Sequence, residues 1–236
     1  MFGINAELLI DHAWGWEPCR MQDIKAYRPE TNSICSGQVL QCPYSFEKAR
    51  LVVREMSEAI ALDLLEKKLV TDQLTLTVGY DIENIQDPER LSRYQGEIKK
   101  DRYGRSVPKH SHGTENIGRY TSSTRKIQNA ADALFHRIVD PGLLIRRLNI
   151  TANRVLPERE VPEADACEQM DLFVDYETMQ EWKRRKEAEQ VREKKIQSTV
   201  LDIKRRFGKN AILKGTALED GATSRERNQK IGGHQA

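Results

Sequence analysis

The sequence feature that most constrains the fold is a long amphipathic segment followed directly by an alternating one. From Phe46 to about Leu69, apolar residues recur at helical spacing and form one continuous stripe that a helix must bury. Ser45 stands in front of this segment as a natural N-cap. Between Leu74 and Tyr80, apolar residues alternate with polar ones, which is the period of a strand with one buried face. The sequence therefore predicts a helix that packs on a sheet.

A second helix and a further strand follow along the chain. Residues 122–124 (Ser-Ser-Thr) can cap the helix, and residues 140–142 (Asp-Pro-Gly) end it. The strand runs from Leu144 to about Val155, and its apolar residues alternate with arginine, asparagine and threonine. The apolar residues of these two elements are Ile127, Ala130, Ala131, Leu134, Phe135 and Ile138, and then Leu148, Ile150 and Ala152.

Two shorter strands complete the pattern. One is predicted from Ser33 to Leu40, and the other lies near residues 113–121 and has almost no apolar residues. Residues 81–112 are polar, interrupted by glycine and increasingly basic, which predicts a mobile excursion. The order strand-helix-strand-strand-helix-strand predicts an α+β fold, with a four-stranded sheet, two helices on one face and the other face open.

The composition favours such a domain with long appendages over one large core. Of 236 residues, 38% are apolar and 31% charged, which is lean for one continuous core. The net charge is only +2, so any nucleic-acid site must be a local basic patch. The 4 cysteines form no CxxC pair and predict neither a zinc site nor a disulfide framework. Without an apolar run of roughly 18 residues or a secretory signal, we expect a cytoplasmic protein with no membrane partner.

The C-terminal third predicts a helical extension after the sheet domain. Residues 159–176 are acidic and contain proline, as linkers do. Residues 177–208 predict a charged helix, residues 209–236 a flexible basic tail, and Gly208 a helix C-cap. The second half of the helix carries an apolar stripe of Ile196, Val200, Ile203 and Phe207.

The sequence offers little support for catalysis. No strand carries an aspartate with a second carboxylate at a spacing that would converge on a metal ion. His110 and His112 could bind a metal as an H-x-H pair, although a solvated loop explains them as well. Glycine-rich phosphate loops are absent from the sequence, and no cofactor is expected in this chain.

Nucleic-acid binding is better supported, because the open sheet face is predicted to carry hydroxyls, amides and arginines. Such groups bind a phosphate backbone without reading its sequence. The same groups also suit an ordinary solvated face. The candidate contacts are Ser33, Ser36, Gly37, Lys109, Arg119, Arg125, Lys126, Arg146 and Arg147.

Three segments resemble a known family. They are residues 32–40 (Asn-Ser-Ile-Cys-Ser-Gly-Gln-Val-Leu) with the helix after them, residues 145–148 (Ile-Arg-Arg-Leu), and the tail that ends in residues 231–234 (Ile-Gly-Gly-His). Together with the order of elements, they resemble the C-terminal part of Y-family translesion DNA polymerases of the Gram-positive type. The resemblance implies that residues 29–158 are a little-finger domain and that residues 1–28 are a remnant of the thumb and the tether.

The resemblance also implies a function. In that family the little finger lies across the major groove of the primer-template duplex, with main-chain amides and basic side chains on the phosphates. The metal-binding palm and the fingers have no counterpart in this sequence, so Mg²⁺ is expected only for a catalytic part outside it. The chain is therefore expected to be a noncatalytic portion of such a polymerase, whether a fragment, a split gene or a truncated reading frame. It would be associated with the nucleoid and would act in damage tolerance and the SOS response.

A short motif in the linker predicts a second partner. The motif is Gln169, Met170, Asp171, Leu172 and Phe173, and it resembles the peptides by which bacterial DNA-handling enzymes bind the sliding clamp. Glutamine would hydrogen-bond in a polar pocket, while leucine and phenylalanine bury apolar surface. The motif could alternatively pack on the chain's own domain.

Two other interpretations stay open. An RNA-recognition domain has the same order of elements but needs stacking aromatics on its central strands, for which Tyr80 and Tyr120 are thin support. A helical scaffold would act through residues 177–208, and this helix could also contact other damage-response proteins.

Overall fold

The computed structural model describes residues 5–27, 32–101, 103–161, 176–231 and 234–235. The chain divides into two compact units, Met1–Asn32 and Ser33–Ala236. The first unit contains helices α1 (Asn5–Ala13) and α2 (Met21–Ala26). Its apolar side chains, Trp14 and Trp16 among them, are mostly exposed, so this unit has little core of its own.

The second unit has the predicted order of elements, with an insertion and a C-terminal extension. Its elements are β1 (Ile34–Tyr44), α3 (Phe46–Glu66), β2 (Leu69–Tyr80), α4 (Glu83–Gln86), α5 (Pro88–Arg93), β3 (Ile98–Lys100), β4 (Ser106–Pro108), β5 (Ser111–Thr121), α6 (Thr124–Ile138), β6 (Ile145–Asn153), β7 (Leu156–Pro157), α7 (Tyr176–Phe207), α8 (Ser224–Arg227), β8 (Lys230–Ile231) and β9 (His234–Gln235).

The main sheet is antiparallel, with strand order β1-β6-β2-β5, and β7 pairs with the start of β2. Helices α3 and α6 pack on one face of this sheet and on each other. The predicted α+β fold is confirmed, since four strands carry two helices on one side. Among the described residues of this unit, the other side is open.

The core lies between the sheet and the two helices. Both predicted apolar stripes are buried there, together with the alternating residues of β2 and β6. Burial of one such leucine or phenylalanine contributes about 2 kcal/mol. At Gly113 a Cβ atom would lie 2.8 Å from Ile138, so only glycine lets α6 approach β5 this closely. The core residues are Leu40, Val52, Met56, Ile60, Leu64, Leu74, Leu76, Val78, Ile127, Leu134, Phe135, Ile145, Leu148, Ile150 and Ala152, with others around them.

Two predicted boundaries differ from the structure. Helix α3 ends at Glu66 and not near Leu69, because Lys68 takes a left-handed conformation (φ +56°) that turns the chain into β2. Strand β1 continues past Leu40 to Tyr44. Its pairing with β6 is irregular between Val39 and Tyr44, which lets an edge strand include Pro43.

The predicted mobile excursion over residues 81–112 contains regular structure. It holds the short helices α4 and α5 and the hairpin of β3 and β4. Its base is fixed by Asn84, which is fully buried. The Asn84 side chain donates to the carbonyl oxygens of Asp81 and Leu144 and accepts from the Leu144 N–H, all within 2.9 Å. Sequence periodicity missed this anchor because it is a single polar residue.

The predicted flexible tail also differs from the structure over its described part. Residues 208–229, which we name the C-terminal strap, pack against α3. The Glu55 carboxylate on α3 accepts from the N–H groups of Thr223 (2.8 Å) and Ser224 (3.1 Å). Lys48 pairs with Asp220 at 2.8 Å, and Lys214 pairs with Glu58 at 2.9 Å. The strap has few apolar residues, so hydropathy could not predict that it docks.

Among the residues described, no helix is both long enough and apolar enough to cross a membrane.

Candidate nucleic-acid interface

The open face of the sheet consists of the side chains that point away from α3 and α6. The strand registers align these side chains in four rows across the sheet. The rows are Asn153, Gln73 and Asn116; Cys35, Thr151, Thr75 and Thr114; Gly37, Asn149, Thr77 and His112; and Val39, Arg147 and Gly79. None of these positions holds a carboxylate. The side chains of these four rows are therefore polar, apart from Val39, and contribute no negative charge; the carboxylate of Asp72, beside the first row, pairs with Arg154 at 2.9 Å.

Hydrogen bonds link neighbouring strands across this face. The Thr75 and Thr114 hydroxyls lie 3.1 Å apart, and Thr77 Oγ1 lies 2.9 Å from His112 Nδ1. Asn153 donates to Thr75 Oγ1 at 2.6 Å. On the other side of β6, Cys35 Sγ lies 2.9 Å from Asn149 Oδ1. These bonds orient the polar groups in advance, which lowers the entropic cost of binding a ligand.

Arg147 is the cation at the centre of the fourth row. It is exposed, and its side chain makes no hydrogen bond or ion pair with any described residue, so its guanidinium group is available to a ligand. Its row neighbour on β2 is Gly79, where a Cβ atom would come within 3.2 Å of the Arg147 Cβ. Glycine at this position leaves room for the arginine.

Arg146 has a different role from its neighbour. Ile145 and Arg147 pair with adjacent residues of β2, Tyr80 and Gly79, so Arg146 is the extra residue of a β-bulge. Its guanidinium group donates to the carbonyl oxygen of Gln41 at 2.8 Å and lies 3.7 Å from the Asp81 carboxylate. These contacts tie β1 to β6, and they occupy Arg146 within the fold.

The other candidate contacts divide into two groups. Gly37 lies on the open face, Ser33 is exposed just before β1, and Arg119 is exposed in the irregular end of β5, after Gly118 (φ +90°). Lys109 is exposed beside the β3–β4 hairpin and pairs with Glu97 at 2.9 Å. The remaining candidates lie elsewhere.

Those remaining candidates are Ser36, Arg125 and Lys126. Ser36 belongs to the alternating residues of β1 that face the helices, so its side chain does not reach the open face. Arg125 and Lys126 begin α6, where Glu189 and Glu193 of α7 bind the Arg125 side chain and backbone N–H. Sequence reasoning included these three because of their residue types. The alternation of β1 turns Ser36 away from Gly37, and Arg125 and Lys126 lie at the start of α6, beside α7, and not with Arg147 on the open face.

Apart from Arg119, sequence reasoning named no residue of β5 as a contact and so missed most of this strand's contribution to the face. His112, Thr114 and Asn116 face outward, while Gly113 packs against α6. A strand could be predicted here, but the sequence has almost no apolar residues at alternate positions. It therefore did not reveal which side of the strand is buried. His112 bonds Thr77, and the described residues contain no group of three or more metal-ligating side chains.

The motif Gln169–Phe173 lies outside the described residues, and so does most of the linker that contains it. Its role as a clamp-binding peptide stays a prediction.

Comparison with known proteins identifies the family. The sequence model of the impB/mucB/samB family C-terminal domain matches residues 31–172, which is more than half of the chain. The match covers the whole sheet with α3 and α6, whereas α7 and the C-terminal strap lie beyond it. No curated protein matches the chain. The chain belongs to the impB/mucB/samB family, and its residues 31–172 are the C-terminal domain of a Y-family translesion DNA polymerase.

Proposed function

We propose that the chain binds duplex primer-template DNA through its open sheet face and is held at the sliding clamp by residues 169–173. In this proposal the chain is a noncatalytic portion of a translesion polymerase that acts in DNA damage tolerance. The observation that carries the DNA part is the open face itself. It combines ordered hydroxyl and amide groups with the available cation Arg147 and has no carboxylate.

These groups suit phosphates better than bases. Threonine hydroxyls and asparagine amides donate hydrogen bonds to phosphate oxygens, and an arginine can bind one phosphate through two N–H groups. Contacts of this kind hold DNA in register without reading its sequence. A polymerase that moves along its template needs such sequence-independent contacts.

The DNA proposal is tested by fluorescence anisotropy with a labelled primer-template duplex at several salt concentrations. We expect affinity that is independent of sequence and falls with salt, at roughly 0.9 log units per log unit of salt for each phosphate contact. Duplex affinity that does not change with salt concentration, or that depends strongly on the base sequence, would contradict the proposal.

An RNA-recognition function is less well supported. Such domains stack bases on aromatic side chains of the two central strands. Here the open-face positions of β6 and β2 hold arginine, asparagine, threonine, glutamine and glycine. Tyr80 points to the helices, is 7% exposed and lies 2.7 Å from the Ser111 hydroxyl. Single-stranded RNA that displaced the duplex in competition would favour this alternative.

The clamp tether is supported by the motif and by the family. Burial of Leu172 and Phe173 provides about 4 kcal/mol before ordering costs, which alone corresponds to roughly millimolar affinity. The micromolar binding that we expect therefore also needs the hydrogen bonds of Gln169 and of the peptide backbone. The variant Leu172→Ala/Phe173→Ala should abolish clamp binding and leave duplex affinity unchanged. Val191→Ala/Leu218→Ala removes two exposed apolar side chains elsewhere and serves as the matched control. Clamp binding that survives in the first variant would refute the motif assignment.

A scaffold function through α7 rests on apolar side chains that the fold leaves accessible. Ile196 is 54% exposed and Phe207 is 74% exposed. Ile196 and Val200, however, both line a groove of about 720 Å³ between α3, α7 and the C-terminal strap, so the stripe also faces other parts of the same chain. Truncation at about residue 175 that abolished binding to a damage-response partner but retained DNA binding would favour this function.

A further inference from the structure

The insertion between β2 and β5 is much longer than the connection requires. These strands are antiparallel neighbours, and two such strands need a loop of only about 2–5 residues. The chain instead places residues 81–110 there, with two short helices and a hairpin. Connecting segments between strands often carry binding residues, so a connection this much longer than needed is a candidate for function.

The insertion is attached firmly to the domain. The buried Asn84 anchors its start, and Tyr94 packs against the core. The Tyr94 hydroxyl donates to the carbonyl oxygen of Glu97 at 3.0 Å, and the Lys109 N–H donates to the same oxygen at 2.8 Å. The β3–β4 hairpin therefore starts from a fixed base.

The hairpin concentrates positive charge. Residues 97–109 contain five basic residues, Lys99, Lys100, Arg102, Arg105 and Lys109, against the two acidic residues Glu97 and Asp101. This segment thus has an excess of three positive charges, more than the net +2 of the entire chain. A local excess of this kind attracts a polyanion even when the whole protein is nearly neutral.

The ion pairs within the hairpin leave its cations accessible. Glu97 pairs with both Lys99 (3.5 Å) and Lys109 (2.9 Å), and Asp101 pairs with Arg105 at 2.7 Å. The hydrogen bond from Lys109 keeps the pKa of Glu97 below its usual value. The four described cations are all exposed, and exposed pairs are weak, so phosphates can replace these carboxylates.

The hairpin leaves the sheet at the same end as Arg147. The insertion that contains the hairpin connects Tyr80, the last residue of β2, with Ser111, the first residue of β5. Arg147 pairs with Gly79, the residue before Tyr80. Tyr103 lies between β3 and β4, is 78% exposed, and has the Arg105 guanidinium group 5.2 Å from its ring centre.

We propose that the β3–β4 hairpin is a second DNA-binding element that extends the open face beyond Arg147 and binds the phosphate backbone through Lys99, Lys100 and Arg105. This inference rests on the proposed DNA-binding function. In this proposal a duplex that crosses the fourth row continues past the end of the sheet at which β2 leads into the insertion, and the hairpin contacts it there.

The test compares two variants of the full chain that lose equal charge. Lys99→Gln/Lys100→Gln/Arg105→Gln removes three cations from the hairpin, and Arg184→Gln/Arg185→Gln/Lys186→Gln removes three exposed cations from α7. We expect the hairpin variant to lose at least tenfold in duplex affinity and to lower the salt slope by about two to three phosphate contacts, at roughly 0.9 each. The α7 variant should keep the wild-type slope. Equal losses in both variants, or none in the hairpin variant, would overturn the inference.

A proximity measurement does not depend on these substitutions. A fluorophore on Tyr103→Cys, in a chain whose native cysteines are replaced by serine, should be quenched by a dye at one end of the duplex. Failure of Arg147→Ala and the hairpin variant to weaken binding would count against both proposals. A loss in Arg147→Ala alone, with no quenching at position 103, would refute only the hairpin.

Discussion

Gly79 and Arg147 face each other across the β2–β6 pair, and a Cβ on Gly79 would lie 3.2 Å from the Arg147 Cβ. We therefore expect Gly79→Val to push the arginine out of its position on the open face, while valine still suits a strand. Duplex affinity should fall about threefold to tenfold, which corresponds to roughly 1 kcal/mol. In an Arg147→Ala background, Gly79→Val should reduce duplex affinity little further, because it is expected to act through the Arg147 side chain. A double-mutant cycle would then show that the two losses do not add. If the two losses of duplex affinity were additive, Gly79→Val would weaken DNA binding without acting through Arg147.

Arg146 and Arg147 should separate into a structural and a binding residue. Arg147→Ala should reduce the salt slope of duplex binding by about 0.9, one phosphate contact, and leave the melting temperature unchanged. Arg146→Ala should lower the free energy of unfolding by about 1–2 kcal/mol, because it removes the bonds that tie β1 to β6. Denaturant melts and anisotropy titrations on both variants measure this difference. If Arg147→Ala lowered stability and Arg146→Ala weakened DNA binding, the β-bulge would not explain the difference between the two arginines.

The contact between the two helices should make stability depend on pH in the acid range. Arg50 on α3 donates two bonds to Asp132 on α6 at 2.7 and 2.9 Å, and this hydrogen bonding lowers the pKa of Asp132. Since the folded-state pKa is lower than the unfolded value of about 3.9, the stabilisation is complete above that pH and is lost as the pH falls through the folded pKa. Asp132→Asn should cost about 1 kcal/mol at pH 7 and flatten the pH profile below about pH 4. Denaturant melts from pH 7 down to pH 2 check both points.

Docking of the C-terminal strap should depend on Glu55. Its carboxylate accepts from the N–H groups of Thr223 and Ser224, which Glu55→Ala would leave without their partner. We expect a loss of about 2 kcal/mol and faster hydrogen exchange across residues 209–229. Glu55→Gln retains an acceptor oxygen and should cost less. If exchange in the strap is already as fast in the wild type as in Glu55→Ala, the contact is not what holds the strap.

The sequence predicted the layers of the fold because α3, α6, β2 and β6 bury one face each, and burial produces periodicity. It could not assign the faces of β5, where His112, Thr114 and Asn116 alternate with residues that are hardly more apolar. It also missed the bulge at Arg146, since an extra residue in a strand changes which neighbours share a face without changing the composition. Asn84 and Glu55 each act as a single polar residue with several hydrogen bonds, which leaves no periodic signal.

We propose above that duplex DNA lies on the open face of the sheet. Backbone amide chemical shifts of the isotope-labelled chain, followed during titration with a primer-template duplex, test it most directly. We expect the largest chemical-shift changes at Gly37, Gly79, Arg147 and Asn149, and smaller chemical-shift changes on the buried sides of α3 and α6. Changes confined to α7 and the C-terminal strap, with the open face unaffected, would contradict it.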